Sequence, residues 1–306
     1  METKSYKFFS EVGIEPTFFP TAEIPKEYAS EPMWWADRFY HEIIGVARNF
    51  LDRYSSRKGS TELGKDLYEW LINNENDDNV LEMPTVRQFK TLEELIDLYK
   101  KLLKIIDQIG FAPSAAIDME SEGGCHINVD LSELLRLERE RQELFCRNLI
   151  NFTNSYPSFV WAHTGYNDDT SAQILFIEND FMDDTEKGQC LNFRTSSGKS
   201  RSVFGTDTPY IECRFFSMPV SVEEMEYILI LCDKFIRYCY DQTMKGNLIP
   251  QNNTPETLKE YDFLKAHTEL KEALSIIGVD WEEATKHDKP TNLRKRFDLN
   301  DKNLLV

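Results

Sequence analysis

The spacing of apolar and polar positions divides the chain into strands and helices that follow one another irregularly. Residues 33–54 repeat apolar side chains at the helical interval, at Trp34, Phe39, Ile43, Val46 and Phe50. Segment 12–19 is a short, mainly apolar run that ends at Pro20, which predicts a strand. The predicted helices are 33–54, 65–72, 91–109, 132–156, 221–243 and 255–276. The predicted strands are 12–19, 80–83, 114–120, 125–131, 171–178, 189–194, 200–204 and 209–216.

Cap and turn residues mark where several of these elements begin and end. Thr91-Leu-Glu-Glu94 has the capping-box pattern, and Gly110 follows the last helical position. Ser121-Glu-Gly-Gly124 separates two extended segments and predicts a hairpin. Because hairpins replace regular strand–helix–strand units, the sequence predicts an α+β fold built on a largely antiparallel sheet. We expect one domain over residues 1–285 and an irregular charged tail over 286–306.

Charge and composition narrow the class of protein. The chain has 306 residues, and its 35 basic and 53 acidic side chains give a net charge of −18, which disfavours non-specific binding to nucleic acid. No apolar run approaches the roughly 20 residues that cross a bilayer. The first 20 residues lack the pattern of a signal peptide, so we expect a soluble, cytoplasmic protein with no membrane partner. Six cysteines without a CxxC pair exclude a zinc ribbon and are expected to be reduced and mostly buried.

Acidic side chains, one histidine and one arginine share faces of five predicted strands. Successive side chains of a strand point to opposite faces, so alternate residues share one. The sets are Glu15 with Thr17, Glu82 alone, Asp118 with Glu120, His126 with Asn128 and Asp130, and Glu212 with Arg214. Carboxylates have poor strand propensity, and on a shared face they repel one another unless a cation neutralises them. Oxygen ligands with one imidazole suit Mg²⁺ or Mn²⁺, and a neighbouring arginine suits phosphate oxygens on the same metal.

A simpler interpretation of any one strand is that its polar side chains face solvent. For a single strand that interpretation is preferred, but five strands of the same acidic composition favour a face for a metal–nucleotide complex. The other histidines, His41, His163, His267 and His287, have no partner at ligand spacing and are predicted to be structural or surface residues.

At these strands the chain resembles the glutamine synthetase-like ligases. Gly13-Ile-Glu15-Pro-Thr-Phe-Phe19 is similar to their GxExE(F)F strand. Gly123-Gly-Cys-His126-Ile-Asn-Val-Asp130 is similar to their GxHxH or GxHxN strand, and Tyr210-Ile-Glu212-Cys-Arg214-Phe-Phe216 to their ExR strand. The order and spacing fit best the smaller amidoligase family, the carboxylate–amine ligases frequent in bacteria and phages. Leu81-Glu82-Met-Pro84 and a helix ending at Ile109-Gly110-Phe111 repeat the arrangement that precedes the histidine strand in that family.

This resemblance implies a curved antiparallel sheet with helices on its outer face, binding ATP with Mg²⁺ or Mn²⁺. It matches Glu15, His126 and Glu212 with the three ligands of the metal that bridges the ATP phosphates. It matches Glu82 with the acidic residue of another metal site. Arg214 matches the arginine that contacts the transferring phosphoryl group.

Five further positions carry over more loosely. Asn128 stands at the second histidine position of the HxH motif and is assigned to cofactor binding. Arg194 or Arg201, on the hairpin before the ExR strand, matches the additional phosphate-contacting arginines of the family. Asp118 or Glu120 is assigned as a further metal ligand or as the base that takes a proton from the amine.

One departure from the family pattern leaves three functions open. The first strand normally carries a second glutamate where this chain has Thr17, which weakens one metal site. The first function is an ATP-dependent ligase that joins a carboxylate to an amine through an acyl phosphate. The second is a phosphotransferase similar to the guanidino kinases, although those use arginines instead of a His–Glu set. The third is a non-catalytic descendant that serves as a binding or structural protein. The substrates, small molecules or peptides, and the oligomeric state are left open by the sequence.

Overall fold

A computed structural model of the protein describes residues 6–22, 33–55, 67–72, 81–113, 124–164, 174, 190–195 and 209–300. Its strands are β1 (Lys7–Pro20), β2 (Leu81–Glu82), β3 (Phe89–Thr91), β4 (Phe111–Pro113), β5 (Cys125–Asp130), β6 (Leu191–Thr195) and β7 (Pro209–Cys213). Its α-helices are α1 (Met33–Ser55), α2 (Leu92–Gln108), α3 (Arg139–Ser155), α4 (Pro157–His163), α5 (Val222–Met244), α6 (Pro255–Leu258), α7 (Phe263–Ile276), α8 (Trp281–Lys286) and α9 (Lys289–Asn300). The predicted strands 114–120, 171–178 and 200–204 lie outside the described residues, apart from Ile174.

The strands are hydrogen-bonded in the order β2-β1-β5-β7-β6, with β3 and β4 also paired to β1. Each pairing whose register is defined is antiparallel: β1 with β2, β1 with β4, β5 with β7, and β6 with β7. The predicted fold class, α+β on an antiparallel sheet, is therefore confirmed.

The chain forms two compact units by the proximity of its Cα atoms. The first consists of Met1–Lys7, Gly13–Cys125 and Met218–Met225. The second consists of Phe8–Val12, His126–Ser217 and Glu226–Val306. Strands β1 and β5 contribute residues to both units.

In the first unit, helix α2 packs on β3 and β4. Leu95, Tyr99 and Leu102 recur at helical intervals and are fully buried, which places the apolar stripe of the helix against the strands. The Tyr99 hydroxyl donates a hydrogen bond of 3.0 Å to the Pro219 carbonyl, so the polar end of this buried ring is satisfied. Gly110, at φ 77°, terminates the helix as its sequence predicts.

In the second unit, β5, β7 and β6 form neighbouring antiparallel strands beside a helical core. Burial alternates along β5: Cys125, Ile127 and Val129 are buried, and His126, Asn128 and Asp130 are half-buried. Phe152 of α3 meets Phe159 of α4 with ring centroids 5.4 Å apart and Phe235 of α5 with centroids 5.1 Å apart. This aromatic cluster forms the centre of the helical core.

Several predictions of local structure are wrong, among them the continuous helix 255–276, which is divided into α6 and α7. Residues 67–72 are not helical. Trp70 forms an antiparallel bridge to Thr85, and the Leu71 amide donates to the Pro84 carbonyl, so these residues pair with the segment after β2. The predicted helix 132–156 is broken into a 3₁₀ turn, Ser132–Arg136, and α3. The Gln142 side chain donates to the Leu134 and Leu137 carbonyls at this break. The Thr91 hydroxyl donates to the Glu94 carboxylate, so no side-chain cap bond forms although α2 begins where predicted.

The predicted irregular tail is also wrong over residues 289–300, which form α9. This helix packs on α4 and α7. Lys289 and Leu293 lie one helical turn apart and are both fully buried. A charge-rich segment therefore folds here because a narrow face of it is covered by neighbouring helices. The predicted single domain over 1–285 stays a prediction.

Two findings concern expectations drawn from composition. All six cysteines are buried and unpaired by disulfides, as predicted. Within the described part of the chain, none of the helices combines the length and apolar character needed to span a bilayer.

Candidate functional site

Among the acidic residues of the predicted set that the structure describes, Glu212 of β7 is the most deeply buried. It is 2% exposed, and its backbone lies opposite Asn128 of β5 on one side and Asn192 of β6 on the other. The strand pairing of the second unit thus places two amide side chains in the positions directly across from one carboxylate.

The Glu212 carboxylate contacts the side chains of Arg214, His126 and Asn192. Arg214 Nη1 donates to Oε1 at 2.6 Å, and His126 Nδ1 lies 2.9 Å from the same oxygen. The other oxygen, Oε2, accepts a hydrogen bond of 3.2 Å from Asn192 Nδ2. A buried carboxylate is tolerated only when charge and hydrogen bonds replace the water it has lost, and these contacts supply both.

Arg214 keeps hydrogen-bonding capacity beyond its contact with Glu212. Its side chain is 16% exposed, and its Nε atom is buried without a hydrogen-bond partner among the residues that the structure describes. A guanidinium presents five N–H donors in a planar fork that matches carboxylate and phosphate oxygens. The geometry therefore leaves a buried cationic donor, in contact with Glu212, that can receive an anionic oxygen.

His126 contacts Glu212 through Nδ1 and is 17% exposed. The two groups lie at ion-pair distance, but Nδ1 lacks the alignment of a hydrogen bond to the carboxylate. A neutral imidazole has one deprotonated ring nitrogen, which is the form that coordinates a metal ion.

In the first unit, Glu15 and Glu82 come together on neighbouring strands. Thr17 of β1 pairs with Glu82 of β2, and Glu15 lies two residues before Thr17 on the same face. Both acidic side chains are half-buried, and one carboxylate oxygen of each lies within 4.8 Å of the other. Two carboxylates at this separation repel unless a proton or a cation lies between them. The pair therefore offers oxygen ligands of the kind that Mg²⁺ and Mn²⁺ prefer.

Gly13 at the start of the first motif has a steric role in the same unit. The Ile14 amide donates to the Thr85 hydroxyl oxygen at 3.1 Å. A Cβ atom on Gly13 would lie 2.9 Å from that oxygen, closer than side chains ordinarily approach. The glycine lets Thr85 approach the strand next to Glu15.

Thr17 occupies the position of the glutamate that the family pattern places there. It is 5% exposed, its hydroxyl donates to the Gly124 carbonyl at 2.8 Å, and its amide donates to Met218 Sδ at 3.3 Å. The side chain is thus used in holding β1 to the segment before β5.

The remaining predicted site residues are placed as follows. Arg194 lies in β6 opposite Tyr210. Arg201, Asp118 and Glu120 lie outside the described residues. Asp130, which shares the polar face of β5, accepts from the Ser132 amide at 2.8 Å and hydroxyl at 2.6 Å, so it stabilises the following turn.

Asn192 is the residue that sequence analysis missed. Leu191, Asn192 and Phe193 are all buried, so β6 lacks the alternation that marked the other strands. In the sequence, Asn192 is only a single amide within an apolar run. Its link to Glu212 can be predicted only when the register of β6 with β7 is known.

The second unit thus groups a carboxylate, an imidazole and a guanidinium, at Glu212, His126 and Arg214, and the first unit holds a pair of carboxylates at Glu15 and Glu82. No protein-family model matches the chain, and no curated protein matches it. Among solved structures, a similar one is described as the crystal structure of a novel glutamine synthase homolog. The two chains share 12% sequence identity with a TM-score of 0.44, over 95% of this chain and 67% of that one. The match concerns the course of the backbone and assigns no role to any side chain.

Proposed function

We propose that the protein is an ATP- and Mg²⁺-dependent ligase that joins a carboxylate to an amine. The observation that carries this proposal is the buried Glu212 carboxylate held by Arg214 and approached by His126. A carboxylate, an imidazole and an arginine with a buried unused donor suit a divalent metal and the phosphates bound to it.

The proposed ligands of the metal at the ATP phosphates are Glu15, His126 and Glu212, and Glu82 is proposed as a ligand of another metal site. Glu15 and Glu82 offer carboxylate oxygens, and His126 and Glu212 offer an imidazole and a carboxylate, which are donors that fit Mg²⁺ or Mn²⁺. When bound, the metal neutralises phosphate charge as a Lewis acid. Asn128, whose backbone lies opposite Glu212, is proposed to contact the cofactor.

Arg214 is proposed to bind the transferring phosphoryl group through the N–H groups that Glu212 does not use. Its contact with Glu212 fixes the plane of the guanidinium, so binding a phosphate costs little further ordering. Arg194 and Arg201 are proposed as additional phosphate contacts.

The proposed reaction has two steps that conserve atoms and charge. A substrate carboxylate oxygen attacks the γ-phosphorus of ATP, and the bond to the bridging oxygen breaks, which gives an acyl phosphate and ADP. The nitrogen of a neutral amine then attacks the acyl carbon, inorganic phosphate leaves, and an amide remains. Asp118 or Glu120 is proposed to accept the proton that the amine loses. The residues contribute chiefly by positioning and by offsetting charge, as phosphoryl transfer requires.

Thr17 favours a second candidate, a non-catalytic descendant that keeps the fold for binding or structure. Its hydroxyl is committed to the Gly124 carbonyl, so this position supplies no carboxylate for a metal. A protein of this kind would release no ADP.

Calorimetric titration with a non-hydrolysable ATP analogue tests the proposal. We expect binding that requires Mg²⁺ and that weakens at least about tenfold, ~1.4 kcal/mol, in Glu212→Gln and in His126→Ala. Circular dichroism of each variant confirms that it folds. The matched control is Glu133→Gln, which removes an exposed carboxylate paired with Arg136 in the same unit and should leave binding unchanged.

The outcomes separate the candidates. Absence of binding by the intact protein would exclude the enzymatic function and leave the non-catalytic one. Where binding occurs, ADP release that needs both a carboxylate and an amine identifies the ligase. ADP release with a guanidino compound alone would identify a phosphotransferase instead.

A further inference from the structure

Asn192 is an amide of β6 that lies between two buried apolar residues. Asn192 is 2% exposed, and its neighbours Leu191 and Phe193 are 0% and 4% exposed. An amide in such a position costs free energy unless its polar atoms find partners. Core packing alone is served by an apolar side chain, so packing does not account for the amide.

This amide donates a hydrogen bond to the proposed metal-binding carboxylate. Asn192 Nδ2 donates to Glu212 Oε2 at 3.2 Å, while Arg214 and His126 both approach Oε1. Both oxygens of the carboxylate therefore have contacts with neighbouring side chains. The bond from Asn192 restricts rotation of the carboxylate about its terminal bond, a torsion that is otherwise soft.

We propose that Asn192 is a positioning residue of the metal–nucleotide site, fixing the plane of the Glu212 carboxylate before the metal binds. The inference rests on the proposed function, because it assigns Asn192 a role only through Glu212. Residues that orient a metal ligand through a hydrogen bond change metal affinity by about 10- to 100-fold when they are replaced.

The test uses the full chain and three variants, with Mn²⁺ titrated in the presence of a non-hydrolysable ATP analogue. Asn192→Leu keeps the branching of the side chain and removes the donor, and Asn192→Ser keeps a small polar group that is too short to reach Oε2. The control is Asn151→Leu, because Asn151 is a 4% exposed amide of the same unit whose Nδ2 donates to the Ile249 carbonyl. Urea unfolding of each variant measures stability separately from affinity.

We expect both Asn192 variants to fold and to bind Mn²⁺ about 10- to 100-fold more weakly than the parent. The control should lose stability without losing Mn²⁺ affinity. Unchanged affinity in the folded Asn192 variants, or an equal loss in the control, would overturn the inference while leaving the proposed function intact. Failure of both Asn192 variants to fold would assign the amide to the fold and would overturn it as well. Failure of the parent protein to bind Mn²⁺ and nucleotide is a different result, which removes the proposed function itself.

Discussion

At the scale of single residues, Thr17 stabilises the fold through its hydrogen bonds. Thr17 is 5% exposed, and its hydroxyl donates a hydrogen bond of 2.8 Å to the Gly124 carbonyl. Removing the donor of such a hydrogen bond destabilises the folded chain, because a carbonyl shielded from water does not regain the bond from solvent. The hydrogen bond therefore stabilises the first unit whether or not the protein is an enzyme.

We predict that Thr17→Val destabilises the protein by about 1–3 kcal/mol, because valine keeps the shape of threonine and removes the donor. Urea unfolding of the variant and the parent measures the difference. Thr268→Val is the matched control, since Thr268 is exposed and its hydroxyl donates within its own helix. Equal stability of Thr17→Val and the parent would show that the bond to Gly124 contributes nothing.

The same scale shows why local patterns found some site residues and missed another. Glu212 and Arg214 were identified because strand alternation is a property of consecutive residues. Asn192 lies between two buried apolar residues, so its local pattern is that of a core strand. Its contact with Glu212 depends on the pairing of β6 with β7, which brings together residues twenty positions apart in the sequence.

At the scale of elements, helix α4 is anchored by an uncharged histidine. His163 is fully buried, and its Nδ1 lies 2.6 Å from the Phe159 carbonyl, so Nδ1 carries the proton. Nε2 then accepts from the Tyr227 hydroxyl at 3.0 Å. Burial, and after it the positive charge of Lys289, lowers the pKa of His163 to about 3. The structural role predicted for this histidine is confirmed.

This pKa makes the stability of the protein depend on pH with a defined sign. The unfolded chain takes up a proton at His163 near pH 6.5, whereas the folded chain does so only near pH 3. Stability from this group is complete above pH 6.5 and falls by ~1.4 kcal/mol per unit as the pH decreases towards 3. Between pH 7 and pH 5 we expect a loss of about 2 kcal/mol that is absent in His163→Gln.

Urea unfolding of the parent and of His163→Gln at pH 7, 6 and 5 checks this expectation through the difference between the two proteins at each pH. His267→Gln is the comparison, since the ring of His267 lies half-buried against Trp281 and its pKa is lowered chiefly by desolvation. Its effect should have the same sign and be smaller. Parallel pH curves for the parent and His163→Gln would contradict the assignment.

Elements also differ in how far their sequence determines them. Helix α2 was predicted at the correct position because its buried residues recur over several turns and Gly110 ends it. Helix α9 was missed because few apolar residues mark its buried face, and the fully buried Lys289 resembles a solvent-exposed residue in sequence. Its order comes from α4 and α7, and such tertiary contacts leave no local pattern.

At the scale of the whole molecule, the net charge of −18 affects the stability of the folded chain. Like charges in excess oppose a compact chain, and dissolved salt screens them over a distance of about 10 Å at 0.1 M. Added NaCl should therefore stabilise the protein. A specific metal site adds a second effect, because an ion that binds only the folded chain stabilises it by mass action.

These two effects separate when MgCl₂ and NaCl are compared at equal ionic strength. We predict that the melting temperature rises with both salts and rises further with MgCl₂. At ten times the Kd, Mg²⁺ would add about 1.4 kcal/mol, which corresponds to about 2 °C or more. The additional rise should disappear in the double variant Glu15→Gln and Glu82→Gln. The control double variant, Asp97→Asn and Glu133→Gln, removes the same charge from exposed positions and should retain it. An additional rise that persists in the first double variant would locate the effect of Mg²⁺ in the overall charge of the molecule instead of at Glu15 and Glu82.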